Sequence, residues 1–257
     1  MPSDDFPRLY EAQQRFFNED LSLWLRLARA RPGRILELGC GTGRVLLALA
    51  REGFEVAGLD ADAGMLARAS RNLAAEPGLP VALHHGDLRD FRLPDRYSLI
   101  LVPCNTLSSL DPAEAAAALA SARQHLAAQG LLAAELPAPG DRQDIADDEP
   151  IDAFEEPERG HPVQVYARQT WLDDPPRARV LWSYDELLPD GRVVRTQVPT
   201  NYFLRTPETM ADLLHKAGFK SVAFFGDYDL SPLCAESPRL LMVAGRDAGL
   251  ISDEEKT

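Results

Sequence analysis

The run from Arg34 to Ala50 constrains this chain most: a short apolar stretch, three glycines at alternate positions, then apolar residues at helical spacing. Ile35, Leu36 and Leu38 suit a strand covered on both faces, and Val45, Leu46, Leu47 and Leu49 suit a helix packed on the same sheet. Between them, Gly39, Gly41 and Gly43 open backbone angles closed to other residues and let a ligand approach the main chain. The spacing is G-x-G-x-G, so the G-x-G-x-x-G fingerprint of dinucleotide sites is not met. Glu37 stands two positions before the first glycine. Beside a pyrophosphate this carboxylate is repulsive, by roughly 4 kcal/mol for two unit charges ~4 Å apart at a surface-like dielectric. Beside a sulfonium or an amino group it is attractive, so the turn suits a ligand with a cationic end.

Further strand–helix units follow in order. Phe54 to Asp60 reads as a second strand, and Asp60 lies about 20 residues past the first glycine, where an acid holds ribose hydroxyls in a doubly wound fold. Asp62 reads as the N-cap of the next helix. Val81 to His85 forms a third strand, with Asp87 and Leu88 after its turn glycine; Tyr97 to Val102 forms a fourth. Asp111, Pro112 and Glu114 compose a capping box with proline at the first helical position. The alanine-rich helix that they open is expected to run to about Ala128, with Gly130 stopping it and Leu131 to Leu136 giving a fifth strand. The alternation implies a parallel α/β sheet with right-handed crossovers.

The pattern E-x-G-x-G-x-G at Glu37, Gly39, Gly41 and Gly43 resembles motif I of the class I S-adenosylmethionine (SAM)-dependent methyltransferases. The resemblance implies a Rossmann-like seven-stranded sheet with a C-terminal antiparallel hairpin, SAM as cofactor and S-adenosylhomocysteine as product. In that family the loop, including Cys40, wraps the methionine part of SAM. The resemblance then gives Asp60 and Ala61 to the ribose end, Met65 to a face of the base, and Asp87 with Leu88 to the adenine. It places the transferred methyl beside Pro103 and Asn105, and a leading helix carrying Tyr10 over the cofactor. The stretches Gly226 to Pro232 and Ser237 to Ala244 are similar to the C-terminal signature of bacterial small-molecule methyltransferases with a β insertion before the last helix. Related enzymes often carry a histidine where this chain has Ser109. No general base is therefore assigned, and the catalytic residues stay unknown. Tyr202, Arg205, Tyr228 and Asp229 fall where family substrate pockets form; for each, packing or surface placement is the competing reading.

The net charge of −13 argues against a nucleic-acid backbone partner and weakly against an anionic membrane. Cys40, Cys104 and Cys234 are too scattered for a disulfide framework, which fits a reducing cytoplasm. No signal peptide, membrane-length apolar run or His/Cys/Asp cluster at metal spacing is evident. His84 and His85 are read as structural.

The expected organisation is a core over 1–140 with an N-terminal cap helix over 6–30, an acidic connector and antiparallel β insertion over 141–205 acting as a lid, and a closing part of the core over 206–257. Residues 141–158 carry nine acids against Arg142 and read as a solvated connector, or as an acidic lid for a cationic acceptor. Residues 163–172, 178–188 and 192–204 read as strands, with turns at Asp173 to Pro176 and Pro189 to Arg192. The function expected is methyl transfer to oxygen or nitrogen of a small molecule. The alternatives are an RNA or protein methyltransferase, a SAM-binding regulatory protein without catalysis, or, against the loop spacing and Glu37, a dehydrogenase. Acceptor and oligomeric state stay open.

Overall fold

The computed structural model describes residues 5–138, 145–146 and 148–247. Strands β1 (Ile35–Leu38), β2 (Val56–Asp60), β3 (Val81–His85), β4 (Tyr97–Val102) and β5 (Leu126–Pro137) pair in parallel. After an insertion of four strands, β6 (Asp152–Glu156), β7 (His161–Asp173), β8 (Pro176–Leu187) and β9 (Val193–Phe203), the chain returns to the first sheet as β10 (Ser221–Phe225) and β11 (Arg239–Gly245). The seven-stranded order is β10-β11-β5-β4-β1-β2-β3, with β11 antiparallel to both of its neighbours. Strand order reverses between β1 and β4, and the carboxyl ends of strands at such a switch point form a binding crevice. The inserted strands make a separate antiparallel sheet, β6-β7-β8-β9.

Helices cover both faces of the large sheet, which is why its strands are apolar on both sides. Leu36, Leu38, Ile100 and Leu132 pack against α5 (Pro112–His125) and α6 (Pro207–Ala217). On the other face, Ile35, Leu99 and Leu101 pack against α2 (Leu21–Ala30) and α3 (Arg44–Arg51). Alternation along β1 puts Glu37 on the α2/α3 side with Ile35. The expected caps form: the Asp62 carboxylate accepts from the amides of Gly64 and Met65 at the start of α4 (Ala63–Ala74), and Asp111 and Glu114 close the box on α5.

Three expectations need correction. The leading segment is not one helix but two, α1 (Asp5–Gln14) and α2, because they serve different cores. Leu9 of α1 packs on Val163, Val165 and Tyr184 of the insertion, whereas Leu23, Trp24 and Leu27 of α2 pack under the large sheet. Phe16, between them, is left exposed. Second, α5 ends at His125, where Leu126 is already extended (φ −71°, ψ 139°). Gly130 is no helix stop: a Cβ there would come within 2.9 Å of the Tyr97 carbonyl oxygen, so glycine permits the close approach of β5 to β4. Third, the acidic stretch is not wholly a solvated connector. Its last part forms β6, paired with β7, and Glu156 is fully buried. Of the remainder, residues 141–144 and 147 lie outside the described residues.

Candidate active site

Two adjoining compartments open at the carboxyl ends of β1, β4 and β5. The smaller, about 60 Å³, lies over the glycine loop and is lined by Glu37, Gly39, Cys40, Gly41, Thr42 and Arg44 below and by Tyr10, Gln14, Pro103 and Cys104 above. The larger, about 410 Å³, lies between α1, the segment after β4, the end of β5 and the inserted sheet. Tyr10, Gln14 and Cys104 line both, so the two compartments adjoin there.

The loop adopts the strained geometry that only glycine accepts cheaply: φ is 73° at Gly39, 54° at Gly41 and 89° at Gly43. Each serves a separate demand. A Cβ on Gly39 would collide with Thr106 of the segment after β4, at 2.4 Å. On Gly41 it would stand in the small compartment, facing the Tyr10 ring at 3.8 Å. Gly43 caps α3. Asp60, at the end of β2, holds the loop from beside it, accepting from the Gly41 amide at 2.7 Å and the Asp62 amide at 2.8 Å.

Glu37 carries the main electrostatic signature. It is buried, and its Oε2 has no hydrogen-bond partner. Burial pushes its pKa up to about 8, against the pull of the Arg44 guanidinium. An isolated buried carboxylate is costly and is met by protonation or by a bound cation. Arg44 does not neutralise it fully because it is committed elsewhere. Its two terminal nitrogens each lie 2.7 Å from an oxygen of the buried Asp20, which also accepts from the Trp24 indole at 2.8 Å. Arg44 also donates to the Phe17 carbonyl at 3.0 Å and lies over that ring. This clamp ties the α1–α2 turn to the glycine loop.

The larger compartment has six aromatic residues on its walls, among them Tyr10, Trp182, Tyr184 and Tyr202, together with Asn105, Gln13 and Thr200. Among the described residues its one charged lining residue is Glu135, near the end of β5. Glu135 accepts from the Cys104 amide at 3.1 Å and from the Tyr228 hydroxyl at 2.7 Å. Burial raises its pKa, partly offset by those hydrogen bonds. Burial likewise raises Tyr10 and Tyr202, and lifts the Cys104 thiol to about 12.

The sequence-selected residues therefore divide. Tyr10, Glu37, Gly39, Cys40, Gly41 and Pro103 meet in the small compartment, with Gly43 and Asp60 supporting it; Asn105 and Tyr202 line the large one. Ala61, Met65, Asp87 and Leu88 follow at the ends of β2 and β3, outside both linings. Met65 is buried, and the half-buried Asp87 is held by the Arg89 guanidinium. Arg205 faces away: it is buried and donates to the carbonyls of Leu107 (3.2 Å) and Leu110 (2.5 Å), and burial lowers its pKa to about 10. Tyr228 sits behind Glu135, with the Arg239 guanidinium over its ring, and Asp229 is exposed, its carboxylate accepting from the Ser231 amide. Glu135 escaped the sequence reading, although an acid within the apolar run from Leu131 to Leu136 was a visible signal. Asp20, Gln13 and Gln14 gave no such signal, since their roles depend on the turn between α1 and α2.

The residues present fit SAM in one respect that does not depend on resemblance: the unpartnered Glu37 oxygen beside a glycine whose missing Cβ leaves room suits a cationic amino group. Comparison with known proteins agrees. Residues 35–130 match the methyltransferase domain family. Among curated proteins, the chain is 34% identical over 117 residues to a dTDP-3-amino-3,6-dideoxy-alpha-D-glucopyranose N,N-dimethyltransferase of Streptomyces fradiae, covering 45% of this chain and 44% of the relative. It is 31% identical over 117 residues to a dTDP-3-amino-3,4,6-trideoxy-alpha-D-glucopyranose N,N-dimethyltransferase of Streptomyces venezuelae, covering 45% of this chain and 47% of the relative. The matches thus span less than half the length of these relatives. Among solved structures, SAM-bound CalS10, an amino pentose methyltransferase from Micromonospora echinaspora, is 27% identical with a TM-score of 0.71 over 93% of this chain and 97% of that one. A SAM-dependent methyltransferase of Clostridium acetobutylicum ATCC 824 shares the fold at 14% identity, with a TM-score of 0.77 over 94% of this chain and 98% of that one. With motif I folded as a strand, glycine turn and helix at the switch point of such a sheet, residues 35–130 match the methyltransferase domain family and the chain has the fold of S-adenosylmethionine-dependent methyltransferases.

Proposed function

We propose that the chain binds SAM in the small compartment and transfers its methyl group to oxygen or nitrogen of a small molecule in the large one, with nitrogen the favoured acceptor atom. The observation that carries this reading is the buried Glu37 carboxyl, its Oε2 unpartnered, at the glycine loop beside an adjoining aromatic-walled cleft. The curated relatives named for sugar N,N-dimethylation support nitrogen. In this reading Glu37 receives the donor's amino group, Gly39, Cys40 and Gly41 wrap its methionine part, and Asp60 holds ribose hydroxyls with the lone pairs its two amide bonds leave free. Asp87 and Leu88 lie at the adenine end, Met65 and Ala61 between, and Tyr10 closes over the loop.

When bound, SAM supplies an already activated methyl on a sulfonium. The chain's own task is to hold the acceptor in line and exclude water, and such positioning is worth roughly 7–11 kcal/mol of a barrier. The segment Pro103 to Asn105 lies where the two compartments adjoin, and Tyr202 and Trp182 wall the acceptor side.

The test is calorimetric titration with SAM and S-adenosylhomocysteine, followed by a metabolite-extract screen with methyl-labelled SAM and mass identification of the product. Gly41→Val, which puts a side chain where the donor would lie, and Asp60→Ala, which frees the loop amide, are each expected to weaken donor affinity more than tenfold while the fold survives. Unchanged affinity in both variants removes the site assignment, and turnover only in the presence of RNA or protein removes the small-molecule reading.

A further inference from the structure

Within the larger compartment the chemistry of the described residues is lopsided: aromatic rings on the walls, amide and hydroxyl groups between them, and a single charge, the Glu135 carboxylate. Among the described residues the lining includes no arginine, lysine or histidine. A hydrophobic slot alone does not require an acid in the run of β5 that ends beside it. Leu131 to Leu136 are otherwise apolar and buried, and a carboxylate there costs free energy unless a partner compensates it.

We propose that Glu135 is the residue that receives the acceptor: it binds the acceptor amine as an ammonium ion among the aromatic rings and takes its proton. The assignment rests on the methyltransferase reading and adds a residue and a charge preference to it. Three observations converge. The Cys104 amide donates to Oε2 of Glu135, and Cys104 lines both compartments, which sets the carboxylate next to where they adjoin. The Tyr228 hydroxyl donates to Oε1 and holds the group in one orientation, while Arg239, over the Tyr228 ring, is directed to Asp227 and approaches Glu135 only to 3.9 Å. Tyr10, Trp182, Tyr184 and Tyr202 line the compartment with aromatic rings, whose faces attract a cation.

The step balances without any further reactant. One N–H proton of the ammonium passes to a Glu135 oxygen, the freed lone pair on nitrogen forms the bond to the methyl carbon, and the carbon–sulfur pair stays on sulfur. Burial favours such a proton acceptor, because a carboxylate with a raised pKa is a stronger base. The groups that face it are Tyr228 from the β10–β11 connection, Arg239 of β11, Asp20 of the α1–α2 turn and the Cys104 amide.

The experiment is a titration of the full chain, saturated with S-adenosylhomocysteine, with benzylamine, benzyl alcohol and benzoate as probes. Benzylamine is expected to bind at least tenfold more tightly than benzyl alcohol, about 1.4 kcal/mol, with benzoate the weakest. Glu135→Gln keeps the side-chain size and an acceptor oxygen, and is expected to abolish the preference while S-adenosylhomocysteine affinity stays unchanged. Benzylamine binding is expected to weaken at acid pH as Glu135 protonates. Tyr228→Phe removes a hydrogen bond to the charged form, so the weakening should begin at higher pH; a purely structural Tyr228 would lower affinity without moving this limb. No saturable benzylamine binding, equal binding of alcohol or benzoate, a preference retained in Glu135→Gln, or a collapse of S-adenosylhomocysteine affinity in that variant would each overturn the proposal. Failure of the wild-type chain to bind S-adenosylhomocysteine would instead sink the methyltransferase reading beneath it.

Discussion

Replacing Glu37 by glutamine separates stability from donor binding. The Glu37 carboxyl titrates at about 8 in the folded chain against an ordinary 4.5, chiefly because burial disfavours its charge. Between those values the folded state holds a proton that the unfolded chain has released, so stability falls as pH rises. The shift corresponds to about 3–5 kcal/mol lost across that window. Glu37→Gln keeps the shape and removes the titration. Urea unfolding of wild type and variant should therefore give similar stability near about pH 5 and a variant more stable by several kcal/mol near about pH 8.5. The donor should behave in the opposite sense. Near neutral pH the raised pKa keeps Glu37 largely protonated, and a cationic amino group bound to the carboxylate would expel that proton. Calorimetry of S-adenosylhomocysteine binding in two buffers of different ionisation enthalpy reads this release directly, and the variant should bind more weakly and release none. Parallel stability profiles for the two chains, or proton release unchanged in the variant, would refute the assignment of Glu37 as the buried, ligand-seeking charge.

Two further substitutions test how α1, the insertion and the segment after β4 are tied down. Arg8 of α1 is buried between Glu156 (2.8 Å) and Glu186 (2.5 Å), so Arg8→Met removes the cation between two buried acids, of which Glu186 keeps His161 and Arg159; a loss of about 3 kcal/mol in urea unfolding is expected. Because α1 carries Tyr10, donor affinity should fall with it, whereas a silent Arg8→Met would show that α1 is not latched through this pair. Arg205→Ala should lower stability by about 2–3 kcal/mol through the unpaired Leu107 and Leu110 carbonyls. It should leave benzylamine binding intact, and a selective loss of that binding would return Arg205 to the acceptor site.

The legible parts of this molecule were those fixed by local chemistry. The glycine turn, the Asp62 cap and the box at Asp111 each depend on residues a few positions apart, and each formed where the spacing placed it; the hairpin of β10 and β11, expected from the resemblance, formed as well. The errors arose where a distant partner decides. Whether residues 15–20 continue a helix depends on Arg44 capturing Asp20 from another element. Whether the acidic stretch stays solvated depends on Arg8, which draws Glu156 into the interior. Gly130 reads as a helix stop until the Tyr97 carbonyl shows why a Cβ is not tolerated there. Glu135 illustrates the same limit from the functional side: its partners Cys104 and Tyr228 stand 31 and 93 positions away in the chain.

Glu37, Asp60 and Glu135 also share a physical logic that none of them states alone. Three strands end at one crevice with an acid each, and burial raises the pKa of all three. The buried Asp20 adds its field to Glu37 and Glu135, and Arg44, the nearby cation, is held by Asp20 itself. Gathering acids in a place where they resist ionisation weakens the empty fold, most of all at alkaline pH. The same arrangement makes each site more favourable to a cation than an exposed carboxylate would be, because little water must be displaced and the partner charge restores the ionised form. Stabilisation of the chain by a cationic donor should therefore grow as pH rises from mildly acid to mildly alkaline, a dependence opposite to that of the empty protein.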